Sequence, residues 1–159
     1  MRLREEEHEY QRIHPDEWEK LLELYLHLHE KAIPQDDGHL RDTWRAICAN
    51  PDYHIIVCEE DGRIVSSCVC VIIPNLTRNV RPYALIENVV THADYRGRGG
   101  ASACLARARE LAVQADCYKM MLITGSQEES TLRFYRNAGF SSEGKTAFYQ
   151  FLHFSSDPE

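Results

Sequence analysis

The sequence predicts a mixed α+β fold, one sheet with helices on both faces. Three observations predict it. Residues recur at helical spacing in two early segments, Trp18, Leu21, Leu22, Tyr25 and Leu28, then Leu40, Thr43, Trp44, Ile47 and Cys48. Two β-branched runs, Tyr53–Glu60 and Arg63–Ile73, flank Asp61-Gly62, a tight-hairpin dipeptide. A strand, a helix and a strand then follow one another over residues 83–123, which implies a parallel crossover.

The elements follow in order. "YQRI", residues 10–13, alternates and predicts a first strand. His14-Pro15-Asp16-Glu17 starts a helix, with proline early and acids in the first turn, and the stripe carries it to about Lys31. Pro34 and "QDDG" break the chain, and the second helix stops at Asn50-Pro51. Residues 74–82 are a polar loop and residues 83–90, "YALIENVV", a strand. A helix over 99–115, a buried strand over 119–123 and a helix over 128–138 follow, the last ended by Gly139. "TAFYQFLH", residues 146–153, predicts a final strand. The predicted order is β-α-α-β-β-β-α-β-α-β. With no repeat, linker or low-complexity stretch, residues 1–159 are expected to form one domain.

Composition limits the function. The chain has 159 residues, 43% hydrophobic and 27% charged, the profile of a globular protein with one core. Its net charge of -7 speaks against a nucleic-acid or anionic-membrane partner, since both attract basic patches. No apolar run approaches the ~20 residues of a membrane span. "MRLREEEHEY" is charged and has no apolar centre, so no leader is expected. Six cysteines without a C-x-x-C pair, several within "VSSCVCVII", suit reduced, buried thiols in a cytoplasmic protein. The eight histidines show no ligand spacing, and no metal is expected. His27 and His29, two apart on a helix, diverge.

The functional signal is "RGRGGAS", residues 96–102, at the start of an Ala- and Leu-rich helix. A helix start carries unpaired N–H groups and the positive end of the dipole, and glycines let a ligand approach closely. With two arginines alongside, the turn suits a phosphate or pyrophosphate. A P-loop would need G-K-[ST] after the glycines, which is absent. A dinucleotide fingerprint would need glycine where Ser102 stands, and its glycines would follow the strand without the intervening "THADYR".

The stretch Arg96-Gly97-Arg98-Gly99-Gly100-Ala101 resembles the [RQ]-x-x-G-x-[GA] signature of the GNAT N-acetyltransferase superfamily. "LIENVVTHADYRGRG" resembles that family's central strand and turn, and "STLRFYRNAGF", residues 130–140, its second signature. The family usually has a large apolar residue where Gly100 stands. The resemblance spans about residues 53–148. It implies a GNAT-like fold, acetyl-CoA as cosubstrate and an N-acetyltransferase acting by direct attack of an amine on the thioester.

Carried onto this sequence, the resemblance places the pyrophosphate on Arg96, Gly97, Arg98, Gly99, Gly100, Ala101 and Ser102. It lays the pantetheine arm along Asn88, Val89 and Val90, with an amide near Val89 or Val90 for the thioester oxygen. Tyr135 occupies the place of the tyrosine that reaches the coenzyme sulfur. Glu87, a carboxylate in an apolar strand, is the expected base, its pKa raised by desolvation, and His92 is a second candidate. Glu128 stands where much of the family has asparagine and is left out of the site.

The acceptor is less defined. The loop arginines Arg78 and Arg81 could hold an acidic group of the substrate. "DYHIIVCEEDGRIV", "IENVV", "YRGRG" and "CYKMML" are similar to runs of eukaryotic glucosamine-6-phosphate N-acetyltransferases. A primary amine of a small molecule is the leading expectation. A protein or peptide amine, or a non-catalytic acyl-CoA-binding regulatory module, are the alternatives, and a homodimer is compatible with all three.

Overall fold

The computed structural model describes residues 9–152. They form two compact units, one ending at Leu122 and one beginning at Ile123. The first runs β1 (Glu9–Arg12), α1 (Trp18–Tyr25), α2 (Gly38–Ala49), β2 (Tyr53–Glu60), β3 (Arg63–Ile73), a one-turn α3 (Thr77–Val80), β4 (Tyr83–Thr91), α4 (Gly100–Gln114) and β5 (Met120–Met121). The second holds α5 (Glu129–Asn137). The five strands make one mixed sheet in sequence order. Every pairing is antiparallel except β4 with β5, the parallel crossover that the sequence predicts.

Local chemistry explains most element boundaries. Asp61 and Gly62 both take positive φ, 52° and 75°, as a two-residue hairpin whose twist matches its strands requires. The acidic pair before α2 caps as well as breaks, because the Asp37 carboxylate accepts from the Leu40 amide at 2.9 Å. His14 caps the short 3-10 turn Pro15–Glu17 in front of α1, and the Glu17 carboxylate accepts from the His14 amide in return.

Two apolar layers hold the sheet. On one face Leu21 and Leu24 of α1 pack with Ile55, Val57, Val69 and Val90, joined by Trp44 and Ile47 of α2. Fully burying each leucine contributes about 1.5–3 kcal/mol. On the other face α4 buries Gly100, Cys104, Leu105, Ala108 and Ala112, a stripe at helical spacing. There the Cys70 thiol reaches the Ala108 carbonyl at 4.0 Å. All six cysteines are free, and Cys58, Cys68, Cys70 and Cys104 are buried, as the sequence implies.

The structure departs from the sequence reading in several places. α1 ends at Tyr25, not near Lys31, and its second buried leucine is Leu24, three residues from Leu21, in place of Leu22. The polar loop contains α3, whose residues Arg78, Asn79 and Val80 all take positive φ. This left-handed turn is tied by the Asn75 amide, which donates to the Thr77 and Arg81 carbonyls at 3.0 and 3.1 Å. The final strand over residues 146–153 is corrected as far as Leu152, since no strand forms there; His153 lies outside the described residues. Phe148 and Tyr149 are adjacent, as are Phe151 and Leu152, so the apolar pattern does not alternate as a one-faced strand requires. No ladder forms there, and all four stay exposed, Phe148 by 92%.

The small α4 stripe sets how closely the helix lies on the sheet. A Cβ on Gly100 would meet the Ser66 Oγ at 2.5 Å and the Cys58 Sγ at 3.5 Å. Where the resemblance leads one to expect a large apolar residue, Gly100 stands, and Ser66 already fills that space. Gly100→Ala should lower the unfolding free energy by about 1–3 kcal/mol in urea denaturation. Ser66→Ala in the same background should recover part of the loss. An unchanged denaturation midpoint in Gly100→Ala would contradict the packing argument.

Candidate active site

Two features of the first unit converge on ligand chemistry, an interrupted strand and an uncapped helix start. β4 pairs with β3 at Val69–Glu87 and resumes at Ser67–Val90. One residue of β3, Cys68, therefore faces two of β4, Asn88 and Val89, which is a β-bulge. Asn88 sits there at φ 51°. The bulge breaks the inside–outside alternation, so Glu87 and Asn88 are both exposed. On its other edge β4 meets β5 only at Ala84–Met120 and Leu85–Met121. From Ile86 onward that edge has no β5 partner, and its backbone groups are open to an added strand-like ligand.

After β4 the chain turns through the short 3-10 segment Ala93–Tyr95 into the glycines. Gly97 and Gly99 take φ 77° and 91°, which glycine adopts without strain. Gly99 is the N-cap of α4 and offers no side chain to its first turn. The amides of Gly100, Ala101 and Ser102 therefore lack both an intrahelical partner and a side-chain cap. Arg96, Gly97, Arg98, Gly99 and Ser102 are exposed, Ala101 is half-buried and Gly100 is buried. Arg98 bonds Glu60 at 3.1 Å and the Asp94 carbonyl at 3.3 Å, and its guanidinium lies 4.8 Å over Tyr95. One oxygen of Glu60 is buried without a partner.

The candidate base has different surroundings from those its sequence suggests. Glu87 is exposed, because the bulge turns it out of the apolar alternation. Its charge acts instead on Tyr53, whose hydroxyl pKa is raised first by burial and then by Glu87. His92, the second candidate, is engaged in the loop. Its Nδ1 accepts from the Asp94 amide at 3.2 Å, its ring lies 4.1 Å from that of His27, and it meets Tyr95 edge-on. His27 Nδ1 in turn accepts from the Ala93 amide at 3.4 Å, joining the turn after α1 to the loop after β4.

Arg78 and Arg81 do not flank the bulge. Arg81 donates to the Asp116 and Cys117 carbonyls and pairs with the Asp116 carboxylate at 3.1 Å. Arg78 lies over the Tyr118 ring. Both serve the start of β4, while the bulge is near its end. Tyr135 belongs to the second unit, on α5, half-buried beside Phe134 and Phe140 at ring separations of 5.0 and 6.3 Å. Sequence reasoning missed Tyr53 and His27, since nothing local marks them as neighbours of β4 or of the loop after it.

A model of the acetyltransferase (GNAT) family matches residues 12–140. The chain belongs to that family. A putative acetyltransferase from Agrobacterium tumefaciens superposes with a TM-score of 0.84 at 37% identity, over 91% of this chain and 99% of that one. A glucosamine 6-phosphate N-acetyltransferase of Trypanosoma brucei brucei is 38% identical over 79 residues, 50% of this chain and 52% of that protein. This chain spans about half the length of the curated relatives it matches. The fold is also shared, at 16% identity and a TM-score of 0.73, with an aminoglycoside N-acetyltransferase in complex with CoA, covering 90% and 93% of the two chains. Among the described residues no helix is long and apolar enough to cross a membrane.

Stability of this GNAT chain should depend on pH through two histidines. His92 and His54 both have pKa values below the usual 6.5, each chiefly through burial. The folded state thus holds them neutral while the unfolded chain takes up protons first, so stability is intact above pH 6.5 and falls as pH drops below it. Urea denaturation from pH 7.5 down to 5 should show that decline, with a shallower slope for His92→Gln. Equal slopes for the two proteins would remove His92 from the effect.

Proposed function

We propose that this GNAT chain is an acetyl-CoA-dependent N-acetyltransferase for a primary amine of a small molecule, its two units acting as one domain over residues 1–159. One observation carries the reading. The open edge of β4 at Asn88, Val89 and Val90 is followed, a few residues on, by a helix start without caps, at residues 97–102. The first suits an amide-bearing arm laid alongside a strand, and the second a diphosphate. A pantetheine diphosphate joins the two chemistries in one molecule.

Acetyl-CoA supplies an activated acyl carbon; the chain's residues do the rest. The amides of Gly99, Gly100, Ala101 and Ser102, with Gly97 making room, take the pyrophosphate, and Arg96 and Arg98 neutralise it. An amide at Val89 or Val90 donates to the carbonyl oxygen as charge grows there. Such a donor is worth roughly 2.7–4 kcal/mol in acyl transfer. Glu87, exposed beside the bulge, attracts the ammonium form of the acceptor and takes its proton directly or through water. Nitrogen then bonds to the acyl carbon as the carbon–sulfur bond breaks. Tyr135 donates a proton to the departing sulfur, a transfer uphill by about 1.5 pKa units from a phenol to a thiol, and the phenolate recovers a proton from the second one the acylated nitrogen sheds.

The acceptor class follows from charge. Arg78 and Arg81 are engaged at the other end of β4, and the ionisable group of β4 beside the bulge is a carboxylate. A small cationic amine suits that setting without an acidic group for the loop arginines to hold.

A panel of primary amines with acetyl-CoA, read by release of free thiol, tests the reading, and thiol release on none of them would refute it. Tyr135→Phe should lower turnover by roughly 100-fold while coenzyme affinity by calorimetry holds. Unchanged turnover removes Tyr135 from the mechanism. Gly99→Val should weaken coenzyme binding, and equal affinity in that variant would overturn the pyrophosphate assignment.

A further inference from the structure

Between α2 and the β1–β2 side of the sheet lies a cavity of about 230 Å³ that the acyl-transfer reading leaves unused. Its wall is apolar and aromatic. Ile13 comes from the chain just past β1, Trp44 and Ile47 from α2, and Tyr53 and Ile55 from β2. The indole N–H of Trp44 is already committed, since it donates to the Pro15 carbonyl at 2.8 Å. That bond also fixes the plane of the ring that the wall presents. A cavity of about 150 Å³ with hydrocarbon walls is enough to take up benzene, so the space here holds a six-membered ring with a short arm.

One charged side chain lines the same cavity. Arg12 is the last residue of β1 and is exposed. Its Nη2 donates to the Asn50 and Tyr53 carbonyls, each at 3.4 Å, longer than a strong hydrogen bond. Among the described residues no carboxylate pairs with it, and its Nε and Nη1 donate to nothing. A guanidinium in that state is a ready donor to an anionic oxygen. The two carbonyl oxygens beside it limit the charge it can balance. They repel a dianion such as a phosphate monoester, whereas one carboxylate leaves the local charge near zero.

The cavity stands apart from the open edge of β4. Ile55 faces Val69 across the β2–β3 ladder, and Val69 faces Glu87 across the β3–β4 ladder. Two strand spacings, about 10 Å, therefore separate the cavity floor from Glu87. Val69, between them, belongs to the core cluster with Leu21 and Leu24 of α1.

We propose that this cavity is a second ligand site, for a small aromatic monocarboxylate. The ring lies among Trp44, Ile47, Tyr53 and Ile55, and the carboxylate meets the Arg12 guanidinium. The proposal rests on the cavity and its one arginine, and not on the acetyltransferase reading.

The experiment titrates the protein with benzoate, and with benzyl alcohol and benzylamine as its uncharged and cationic counterparts. The readout is the indole N–H resonance of Trp44. That of Trp18, which opens α1 and does not line the cavity, is the reference. Benzoate should move the Trp44 signal and leave the Trp18 signal in place. Benzyl alcohol should bind about 10-fold more weakly, the low end of what a hydrogen bond to a charged group contributes, and benzylamine more weakly still. Arg12→Gln should bring benzoate down to the affinity of benzyl alcohol at an unchanged melting temperature. Saturating acetyl-CoA should leave the benzoate affinity as it was. A Trp44 signal that benzoate does not move would overturn the proposal. So would equal affinities for benzoate and benzyl alcohol in the wild-type protein, because Arg12 would then select nothing. Displacement of benzoate by acetyl-CoA would place both in one site and overturn the second site as well.

Discussion

The parallel ladder between β4 and β5 lasts for two residue pairs and then stops, and the rest of the site depends on that stop. A sheet that continued would satisfy the β4 backbone groups within the protein and leave nothing for a ligand. The bulge at Asn88 and Val89 acts on the opposite edge of the same strand, loosening it from β3 just past the point where β5 ends. Strand chemistry is thus withheld on both sides of one short stretch. The strands further in, β2 and β3, pair over nearly their full lengths and carry the buried valines, isoleucines and cysteines that keep the sheet intact around this opening.

The opening is useful only if the helix after it begins in register, which the interior arranges with small side chains. Gly100, Cys104, Ala108 and Ala112 let α4 lie close on the sheet, where Cys58 of β2 and Ser66, Cys68 and Cys70 of β3 are equally small. Ser66 also bonds Thr91, the last residue of β4, at 2.8 Å, so the strand end and the helix start share one contact point. Burial raises the Cys58 thiol to about 11 and the Cys70 thiol to about 12, which makes these two spacers and not nucleophiles. The other face uses large residues. Leu21, Leu24, Trp44 and Ile47 anchor α1 and α2, and from that anchorage His27 reaches the loop after β4.

Much of this was legible in the residues, for physical reasons that can be named. β2 and β3 match their expected limits because a β-branched run on each side of Asp61-Gly62 leaves one register for the hairpin. The glycine turn was legible because three glycines at the start of a good helix-forming run have few structural uses. The bulge was not. Two polar residues, Glu87 and Asn88, stood side by side in an apolar strand, and strict alternation would send one of them inward. Glu87 was read as that buried group. Both face outward, since an extra residue shifts the phase, and nothing in "LIENVV" alone says so. The last strand was misread for the opposite reason. Its composition was right, but a strand is defined by its neighbour, and composition does not supply one.

Amide hydrogen exchange with and without coenzyme A tests the central claim most directly. If the open β4 edge and the uncapped start of α4 together hold the carrier, exchange should slow at Val89 and Val90 and across residues 97–102, and stay unchanged in β2 and at the start of β4. Protection confined to another surface, with those amides exchanging as fast as in the free protein, would contradict the account.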